Sequence, residues 1–427
     1  MDPITFDGVT LPRLSVELGV GGTLDPGDTY IHLGVGPGLG TGLLAGTVWT
    51  DITPDTTSIS RRVGRANDLE SATPGSMTLT CDLFGGSILS VDATGQVEAD
   101  GVAVEVGTPV QFRAEWPIGT VYGRFYGEVA DMEPDLGYTP TLTITCVDGL
   151  ERLGRVFTPT IGASFDDDTT GERIGRILDA VGWPTSLRSL DAGYTVLGPT
   201  IFGDHALPLI RKVEKTEFGL AWADGDGRVV FYDRHRAETA TRSTVSQADF
   251  TDAGGAADIE LDGIRIAQSR EQVFTQVHIT RDPDPGGEDE PVEQISEDLT
   301  APESLRGLSF PDQVGELAPT DFDALALAGY LKDRYKTPMV RLREVAVDAT
   351  TQDRWDELLP LTLLDLVSVS RDYGPATITA DLHIQGLAED IDDTPSWRMT
   401  LSTSNPPPDT SFFELDTSEL DSGVLGW

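Results

Sequence analysis

The chain has 427 residues and a formal net charge of −41, from 30 Lys and Arg against 71 Asp and Glu. This length exceeds one ordinary hydrophobic core and predicts two to four domains. The charge argues against adhesion to nucleic-acid backbones or anionic membranes, because both need clustered cations. Such acidity has three explanations: plain solubility, adaptation to high salt, or a surface along which DNA slides without sticking.

The segment Met1–Thr10 lacks the charged region and the apolar run of a signal peptide, and no stretch of 18 apolar residues appears. We therefore expect a protein that is made and folded in the cytoplasm and has no membrane segment. Cys81 and Cys146 both lie in segments that alternate like strands. A reducing compartment favours two buried thiols, although neighbouring strands could bring them into contact.

Many short strands are expected, because 46 Gly and 27 Pro are spread along the chain. Residues 1–48 contain a short strand at Leu14–Leu18 and a Gly-rich loop. From Trp49, six segments alternate or run apolar between turn residues, and they predict a first β-barrel or sandwich over residues 49–150. The six segments are VWTDIT, TSISRRVG, SMTLTCDL, TPVQFRAEW, VYGRFYGEVADME and TLTITCVDGL.

Residues 151–240 predict a small α+β domain. A helix with a possible threonine cap in Thr169-Thr170 ends at Gly182 and Pro184 and places four apolar residues on one face: Ile174, Ile177, Leu178 and Val181. A second helix, Ala206–Thr216, leads into two strands around the turn Asp224-Gly225-Asp226-Gly227.

Residues 241–404 predict a second β-barrel domain that contains an inserted acidic loop, Asp282–Glu293, and a helix at Asp321–Tyr335. The helix is expected to bury Phe322, Leu325, Ala328 (or Gly329) and Leu331 on one face. Strands resume in MVRLREVAVDA, LDLVSVSRD, ADLHIQGLAEDI and SWRMTLSTS. Residues 405–427 form an extended tail with apolar residues in acidic sequence, which either docks on a neighbour or is disordered. Its interface candidates are Phe412, Phe413 and Trp427.

Two parts of the chain share one plan: a strand, then a hairpin that ends in a Gly-kinked strand, then a closing strand. The first copy is Pro109–Arg113, Phe125–Asp131 and Leu142–Thr145; the second is Leu366–Arg371, His383–Asp390 and Arg398–Leu401. The fold class predicted from these observations is mainly β with an α+β insertion, in which two similar β-barrel domains flank a small α+β domain. The alternative is a chance alignment of strands in a β-rich chain.

The sequence predicts no cofactor and no metal site. Its histidines have no zinc-site spacing, and Asp166-Asp167-Asp168 lacks the pattern of oxygen ligands that a cation site needs. Glu128, Asp131 and Glu133 could be the paired carboxylates of a glycosidase, but only Asp131 and Glu133 share a side of their strand. The histidines are His32, His205, His235, His278 and His383.

The cluster Arg61-Arg62-x-x-Arg65 is the one local concentration of positive charge in this acidic sequence. We expect it to form an ion pair with Asp or Glu across a subunit interface. A solvated face is the alternative. Arg61, Arg62 and Arg65 are therefore interface candidates.

A set of short blocks in a fixed order makes the sequence resemble the minor tail or tail-hub proteins of long-tailed phages, especially those of actinobacteria. The blocks are Asp51–Thr53, Ser58–Arg65, Leu69, Pro74–Thr80, Gly107–Arg113, Tyr126-Gly127, Cys146–Leu150, Asp226–Arg234 and Trp397–Leu401. The family is similar in architecture to phage baseplate hubs, with two barrels and an intervening domain.

The resemblance implies a structural virion protein of the tail tip, assembled as a homotrimer below the tail tube in the host cytoplasm. Its partners would be the distal tail or tube protein, the tape measure, and tip or fibre proteins, while DNA passes through without specific binding. Two alternatives stay open: a tail-associated cell-wall hydrolase that depends on Asp131 or Asp148, and a distal tail adaptor that forms a hexameric ring. The expectation is that the protein is not an enzyme.

Overall fold

The computed structural model describes most of the chain. The described residues are 5–6, 9–20, 48–84, 86–159, 167–252, 259–268, 272–283, 290–349, 354–393 and 396–407. The Gly-rich loop lies almost wholly outside these residues, as do the centre of the acidic loop, Asp166, and the interface candidates Phe412, Phe413 and Trp427.

The part of the chain up to residue 150 consists of strands and one short 3-10 helix, Thr53–Asp55. The strands are β1 (Thr5–Phe6), β2 (Val9–Thr10), β3 (Arg13–Gly19), β4 (Trp49–Asp51), β5 (Thr56–Gly64), β6 (Thr73–Asp82), β7 (Leu89–Val91), β8 (Val97–Ala99), β9 (Val102–Ala103), β10 (Pro109–Glu115), β11 (Val121–Asp135) and β12 (Thr141–Asp148). The three-stranded sheet β7-β8-β9 was not predicted from the sequence.

Residues 149–245 contain most of the helices. The elements are α1 (Gly149–Arg155), β13 (Asp168–Thr169), α2 (Thr170–Ala180), a 3-10 helix (Thr185–Leu187), β14 (Arg188–Leu190), β15 (Val196–Leu197), α3 (Ala206–Glu217), β16 (Leu220–Ala223), β17 (Val229–Tyr232), α4 (Arg236–Thr239) and α5 (Thr241–Thr244). The predicted threonine cap of α2 is Thr169, and a capping box with Glu172 satisfies free N–H groups at the start of the helix. The predicted hairpin is β16 and β17.

The rest of the chain is again mainly β. Its elements are β18 (Ser246–Thr251), β19 (Ile259–Glu260), β20 (Gly263–Ala267), β21 (Gln276–Ile279), β22 (Gln294–Glu297), α6 (Asp321–Tyr335), β23 (Arg341–Asp348), α7 (Trp355–Leu358), β24 (Leu366–Asp372), β25 (Thr377–Asp392) and β26 (Ser396–Ser404). Of the described helices, none has the length and apolar character to cross a membrane.

Two sets of seven strands have the same order in the sheet. The first set, the first β unit, runs β4-β3-β10-β11-β12-β6-β5, and the second β unit runs β19-β18-β24-β25-β26-β23-β20. The predicted fold class is confirmed: the chain is mainly β, and two similar β units flank an α+β part. The domain boundaries at residues 48, 150, 240 and 404 remain a proposal.

Strand β11 corresponds to β25 in register as well as in order. Val129 N–H donates to the carbonyl of Thr108, and Gly107 N–H donates to the carbonyl of Val129; Ile384 makes the same two bonds with Asp365 and Leu364. A β-bulge follows immediately in both strands, after Val129 and after Ile384.

This register corrects the alignment made from the sequence. Phe125 was aligned with His383 because both follow the preceding strand by a similar distance. In the structure Glu128 lies opposite Pro109 and His383 lies opposite Leu366, so Glu128 corresponds to His383, three residues further along. A one-residue difference in strand register moves side chains to the other face. Which residues of β11 and β25 share equivalent faces therefore follows from the strand pairing and not from the sequence spacing.

Helix α6 has the predicted bounds, and half of the predicted buried face is correct: Ala328 and Leu331 are buried, but Phe322 and Leu325 are not. Phe322 is 68% exposed and Leu325 is 40% exposed. The helix instead packs two alanines and three large residues against β21 and β22, and its buried residues are Ala324, Leu327, Ala328, Leu331 and Tyr335. Small side chains at positions 324 and 328 let the helix approach the sheet closely, so Ala324 and Leu327 are buried in place of the predicted Phe322 and Leu325.

Candidate functional site

The two β units meet along one strand pair. Strand β5 of the first unit pairs antiparallel with β25 of the second, from Gly386 opposite Gly64 to Asp392 opposite Ser58. The pair makes one sheet of 14 strands from the two units. We call this pair the intrachain joint. Gly64 has a φ of +96°, and a side chain there would overlap the Gln385 carbonyl oxygen, so the joint requires glycine at this position.

A buried ion cluster lies at the intrachain joint. The Glu389 carboxylate accepts hydrogen bonds from Arg61 Nη1 on β5 and from Arg124 Nη2 on β11, the latter at 2.6 Å. Arg124 also donates through Nη1 to the Leu359 carbonyl at 2.5 Å. The Glu389 side chain is fully buried, and the two arginines are nearly so. One carboxylate therefore ties two strands of the first unit to the second.

The protonation states in this cluster follow from burial and charge. Burial alone would raise the pKa of Glu389, but the charges of Arg124 and Arg61 outweigh it and lower that pKa below its usual value. Burial lowers the pKa of Arg61 to about 10, with Arg124 acting in the same direction and Glu389 opposing. At neutral pH the cluster is one anion between two cations.

A cavity of about 240 Å³ opens beside the cluster, between the first β unit, the β16–β17 turn and the α7–β24 loop. Arg61 and Arg124 line it, together with Trp222, Asp224 and Pro360. Its lining carboxylates, Asp224 and Asp226, lie on the β16–β17 turn and form ion pairs with Arg228 at 3.7 and 3.3 Å. Among the described residues, no group of three or more His, Cys, Asp or Glu is arranged to hold a metal ion.

The β16–β17 turn packs directly on β11. A Cβ atom on Gly225 would overlap the Gly123 carbonyl oxygen, and one on Gly123 would lie 2.8 Å from the Gly225 carbonyl oxygen. The backbones of the α+β part and of the first β unit therefore touch at two glycines. In the turn Asp224-Gly225-Asp226-Gly227, glycine permits this close backbone contact in addition to the hairpin turn that the sequence predicted.

Two solved structures share this architecture. The 43 kDa tail protein of prophage MuSo2 from Shewanella oneidensis matches with a TM-score of 0.56 at 16% sequence identity, over 84% of this chain and 97% of that chain. The tail protein from Neisseria meningitidis MC58 matches with a TM-score of 0.58 at 12% identity, over 92% of this chain and 96% of that chain. The chain has the fold of phage tail proteins. The resemblance noted from the sequence is confirmed at this level.

No family model matches the sequence, and no curated protein matches it. The similarity is therefore one of fold and not of sequence. In this chain the fold consists of two β units with the same strand order, connected by the intrachain joint.

The arginine cluster is divided by the tail-protein fold. Arg61 points inward to Glu389, and Arg65 donates through Nε to Gln385 Oε1 at 2.7 Å and through Nη1 to the Glu70 carbonyl at 3.0 Å. Arg62, on the opposite face of β5, is exposed. The three arginines thus form no single patch, and the ion pair of Arg61 lies within the chain. A subunit contact at Arg62 remains a prediction.

The carboxylates considered for hydrolysis do not share a cleft. Asp131 and Glu133 are exposed on β11, and Glu128 pairs with Arg152 at 2.8 Å. Asp148 is buried and caps α1 by accepting from Leu150 N–H at 2.9 Å, while its other oxygen accepts from Gly75 N–H at 2.6 Å. Burial raises the pKa of Asp148 to about 7 against the effect of these bonds. Its contacts are those of a structural tie between β6 and α1.

Glu389 and Arg124 were missed from the sequence. Glu389 lies in an alternating strand pattern, and its parity places it on the buried face with Leu387 and Ile391, which is the one signal that could have identified it. A carboxylate on a core-facing position needs a buried cation, because an unpaired buried charge is costly. The two cysteines are free buried thiols, as expected.

Proposed function

We propose that this chain is a structural subunit of a phage tail tip, in which three copies form a ring around the channel that joins the tail tube to the tip. The observation that carries the proposal is the duplicated seven-strand unit. Two similar units in each chain make six similar units in a trimer, which suits a junction between a sixfold tube and a threefold tip. The tail-protein fold supports the same assignment.

The role we propose is mechanical. The buried cluster around Glu389 holds the two units of each chain in one orientation, as a ring of fixed diameter requires. The ring would carry three times the net charge of −41, and an acidic inner wall would repel DNA phosphate so that DNA passes without binding. Neighbouring tail proteins and the tape measure are the partners in this arrangement.

The contacts of the buried carboxylates and the exposure of Asp131 support a structural role without catalysis. Asp148 and Glu389, the two most enclosed carboxylates discussed above, are both used to connect strands. Asp131 stands on an exposed strand, apart from the cavity. The cell-wall hydrolase alternative predicts that Asp131→Asn or Asp148→Asn abolishes wall degradation by the particle; we expect both particles to degrade cell wall as the parent does.

Electron microscopy of the intact tail tip tests the proposal. Three copies around a channel, each with two β units at near-sixfold positions, are the expected result. Six copies with one equivalent contact would identify a hexameric adaptor instead. Absence of the chain from the particle, or a channel with a basic wall, would overturn the proposal.

A further inference from the structure

One edge of β11 has no partner among the described strands. Residues 131–135 pair with β12 on one side, but the opposite edge of this segment is unpaired, because the pairing with β10 stops at Glu128. The corresponding segment of β25 starts at Gly386, and its opposite edge is where β5 binds. In the second β unit this edge of β25 binds β5. The equivalent edge of β11 in the first β unit has no partner among the described strands.

Strand β20 presents the matching free edge. Among the described strands it pairs with β23 alone, whereas its counterpart β5 pairs both with β6 and with β25. Each chain thus uses one receiving edge and one inserting edge internally, and keeps one of each unpaired. Exposed sheet edges are templates for strand pairing, and these two edges have the same places in their units as the two that pair within the chain.

We infer that β20 of one copy pairs antiparallel with β11 of the next copy and so repeats the intrachain joint between chains; this rests on the ring of the proposed function and identifies its interface. We call the pairing the interchain joint. It is a head-to-tail contact, which closes into a ring when its rotation repeats that of the intrachain joint. The occupant of both free edges is a second copy of this chain.

The register of the interchain joint follows from the pairing partners. Asp131 corresponds to Gly386 because each follows the equivalent bulge, so Asp135 corresponds to Asp390. Ser60 corresponds to Arg265 because they pair with the equivalent residues of β6 and β23. Ser60 lies opposite Asp390 in the intrachain joint, and its hydroxyl donates to Asp390 Oδ1 at 2.7 Å.

The same register places Arg265 opposite Asp135. The Arg265 side chain is 72% exposed and lies 3.3 Å from Glu344 in its own chain. On β11, Asp131, Glu133 and Asp135 are all exposed on one face. An arginine in a chain of charge −41 would therefore meet a row of carboxylates, and opposite charges directly across a strand pair are stabilising.

The other face of the interchain joint is apolar on both sides. Leu136 is 65% exposed and Ile266 is 41% exposed, and Met132 and Pro134 are only half-buried on the same face of β11. The equivalent residues of the intrachain joint, Leu387, Glu389 and Ile391, are buried. Pairing would cover these side chains in the same way. Pro134 has no N–H, and the Met132 N–H donates to Asp131 Oδ1 at 2.9 Å, so Met132 must leave that oxygen when β20 pairs.

Charge reversal tests this register. Arg265→Glu and Asp135→Arg should each raise the concentration at which the full-length trimer dissociates by about tenfold or more, since like charges then face each other. The double variant should restore the wild-type value. Sedimentation velocity over a range of concentrations measures this. A matched control is Arg155→Glu, which reverses an arginine on α1 whose side chain is 78% exposed and which belongs to neither edge strand; it should leave the trimer unchanged.

Disulfide trapping gives a second readout that does not depend on affinity. Asp135→Cys with Arg265→Cys should yield covalently linked chains under oxidation, because directly opposed residues bring their Cβ atoms close together. Ser60→Cys with Asp390→Cys, the intrachain equivalent, should give a disulfide within one chain and shows that the geometry permits the bond. Cys81 and Cys146 are buried and should not compete.

The outcomes separate the interface from the proposed function. Linked chains and a rescued double variant support the inference. A trimer that ignores both charge reversals and gives no interchain disulfide overturns the inference but leaves the ring at the tail tip intact. A chain that remains monomeric and unlinked at every concentration also overturns it, and the tail-tip images then decide the ring independently.

Discussion

Arg124 on β11 and Glu389 on β25 are joined by two hydrogen bonds, Nη2 to Oε1 at 2.6 Å and Nε to Oε2 at 3.3 Å, with both side chains at most 3% exposed. The two residues are 265 positions apart in the chain and belong to different β units. Because Arg61 shares the same carboxylate, a single buried anion reinforces the strand pairing of β5 with β25 that joins the units.

Glu389→Gln should destabilise the protein by about 3–5 kcal/mol, because it leaves two buried guanidinium groups without a counter-charge. Urea unfolding followed by circular dichroism measures the change. The control is Asp390→Asn on the next position of the same strand, where an exposed carboxylate accepts one bond from Ser60. We expect that change to cost less than about 1 kcal/mol. Equal losses for the two variants would refute a special role for the buried cluster.

Gly225→Ala should destabilise the contact between the β16–β17 turn and β11 by about 1–3 kcal/mol, since the added methyl group overlaps a backbone carbonyl oxygen that cannot rotate away. Gly329→Ala in α6 is the matched change at a glycine whose Cβ would meet nothing within 4 Å. It should stabilise the protein by about 0.5–1 kcal/mol through helix propensity. Thermal unfolding of both variants compares them, and a neutral Gly225→Ala would contradict the close backbone contact.

Leu331→Ala should cost about 2–5 kcal/mol, because Leu331 is fully buried between α6 and the β21–β22 hairpin. Phe322→Ala removes a larger side chain but should change the free energy of unfolding by less than about 0.5 kcal/mol, since the ring is 68% exposed. Chemical unfolding of the pair measures the difference. The reverse order of losses would contradict the burial of Leu331 and support the burial of Phe322 that the sequence predicted.

The contrast between Leu331 and Phe322 shows where sequence reasoning succeeds. The bounds Asp321–Tyr335 and Ser396–Ser404 were both predicted, because a capped helix and an alternating strand leave strong local periodicity. Half of the helix face was wrong, because Phe322 and Leu325 were assigned to it in place of Ala324 and Leu327. The partner of Arg61 was missed because Glu389 lies 328 residues away, and no local pattern reports which strands become neighbours.

The internal repeat was also predicted only in part from the sequence, because distant strand pairings leave no local pattern. Three strands of each unit were recognised, but the full seven-strand order depends on pairings between segments with no shared sequence, such as β3 with β10 and β18 with β24. These two pairs even differ in direction, antiparallel in the first unit and parallel in the second. Equivalent positions in the two units are therefore defined by hydrogen-bond register, and the free edges of β11 and β20 become visible only in three dimensions.

Asp148→Asn should change how stability depends on pH. The pKa of Asp148 is raised to about 7 in the folded protein, mainly by burial, whereas an unperturbed Asp in the unfolded chain has a pKa of about 3.9. Between these two values the folded state holds a proton that the unfolded state has released. The stability contributed by protonated Asp148 is therefore complete below about pH 4 and is lost as the pH rises through 7, at about 1.4 kcal/mol per pH unit.

The asparagine variant cannot titrate at this position and still presents a side-chain oxygen to cap α1. Its free energy of unfolding relative to wild type should therefore rise steadily between about pH 4 and pH 7 and level off above. Urea unfolding of both proteins across this range gives the difference directly, and the titrations of the other carboxylates cancel in it. A difference that stays flat across the range would mean that Asp148 is ionised in the fold, held by its bonds from Gly75 and Leu150 in spite of burial.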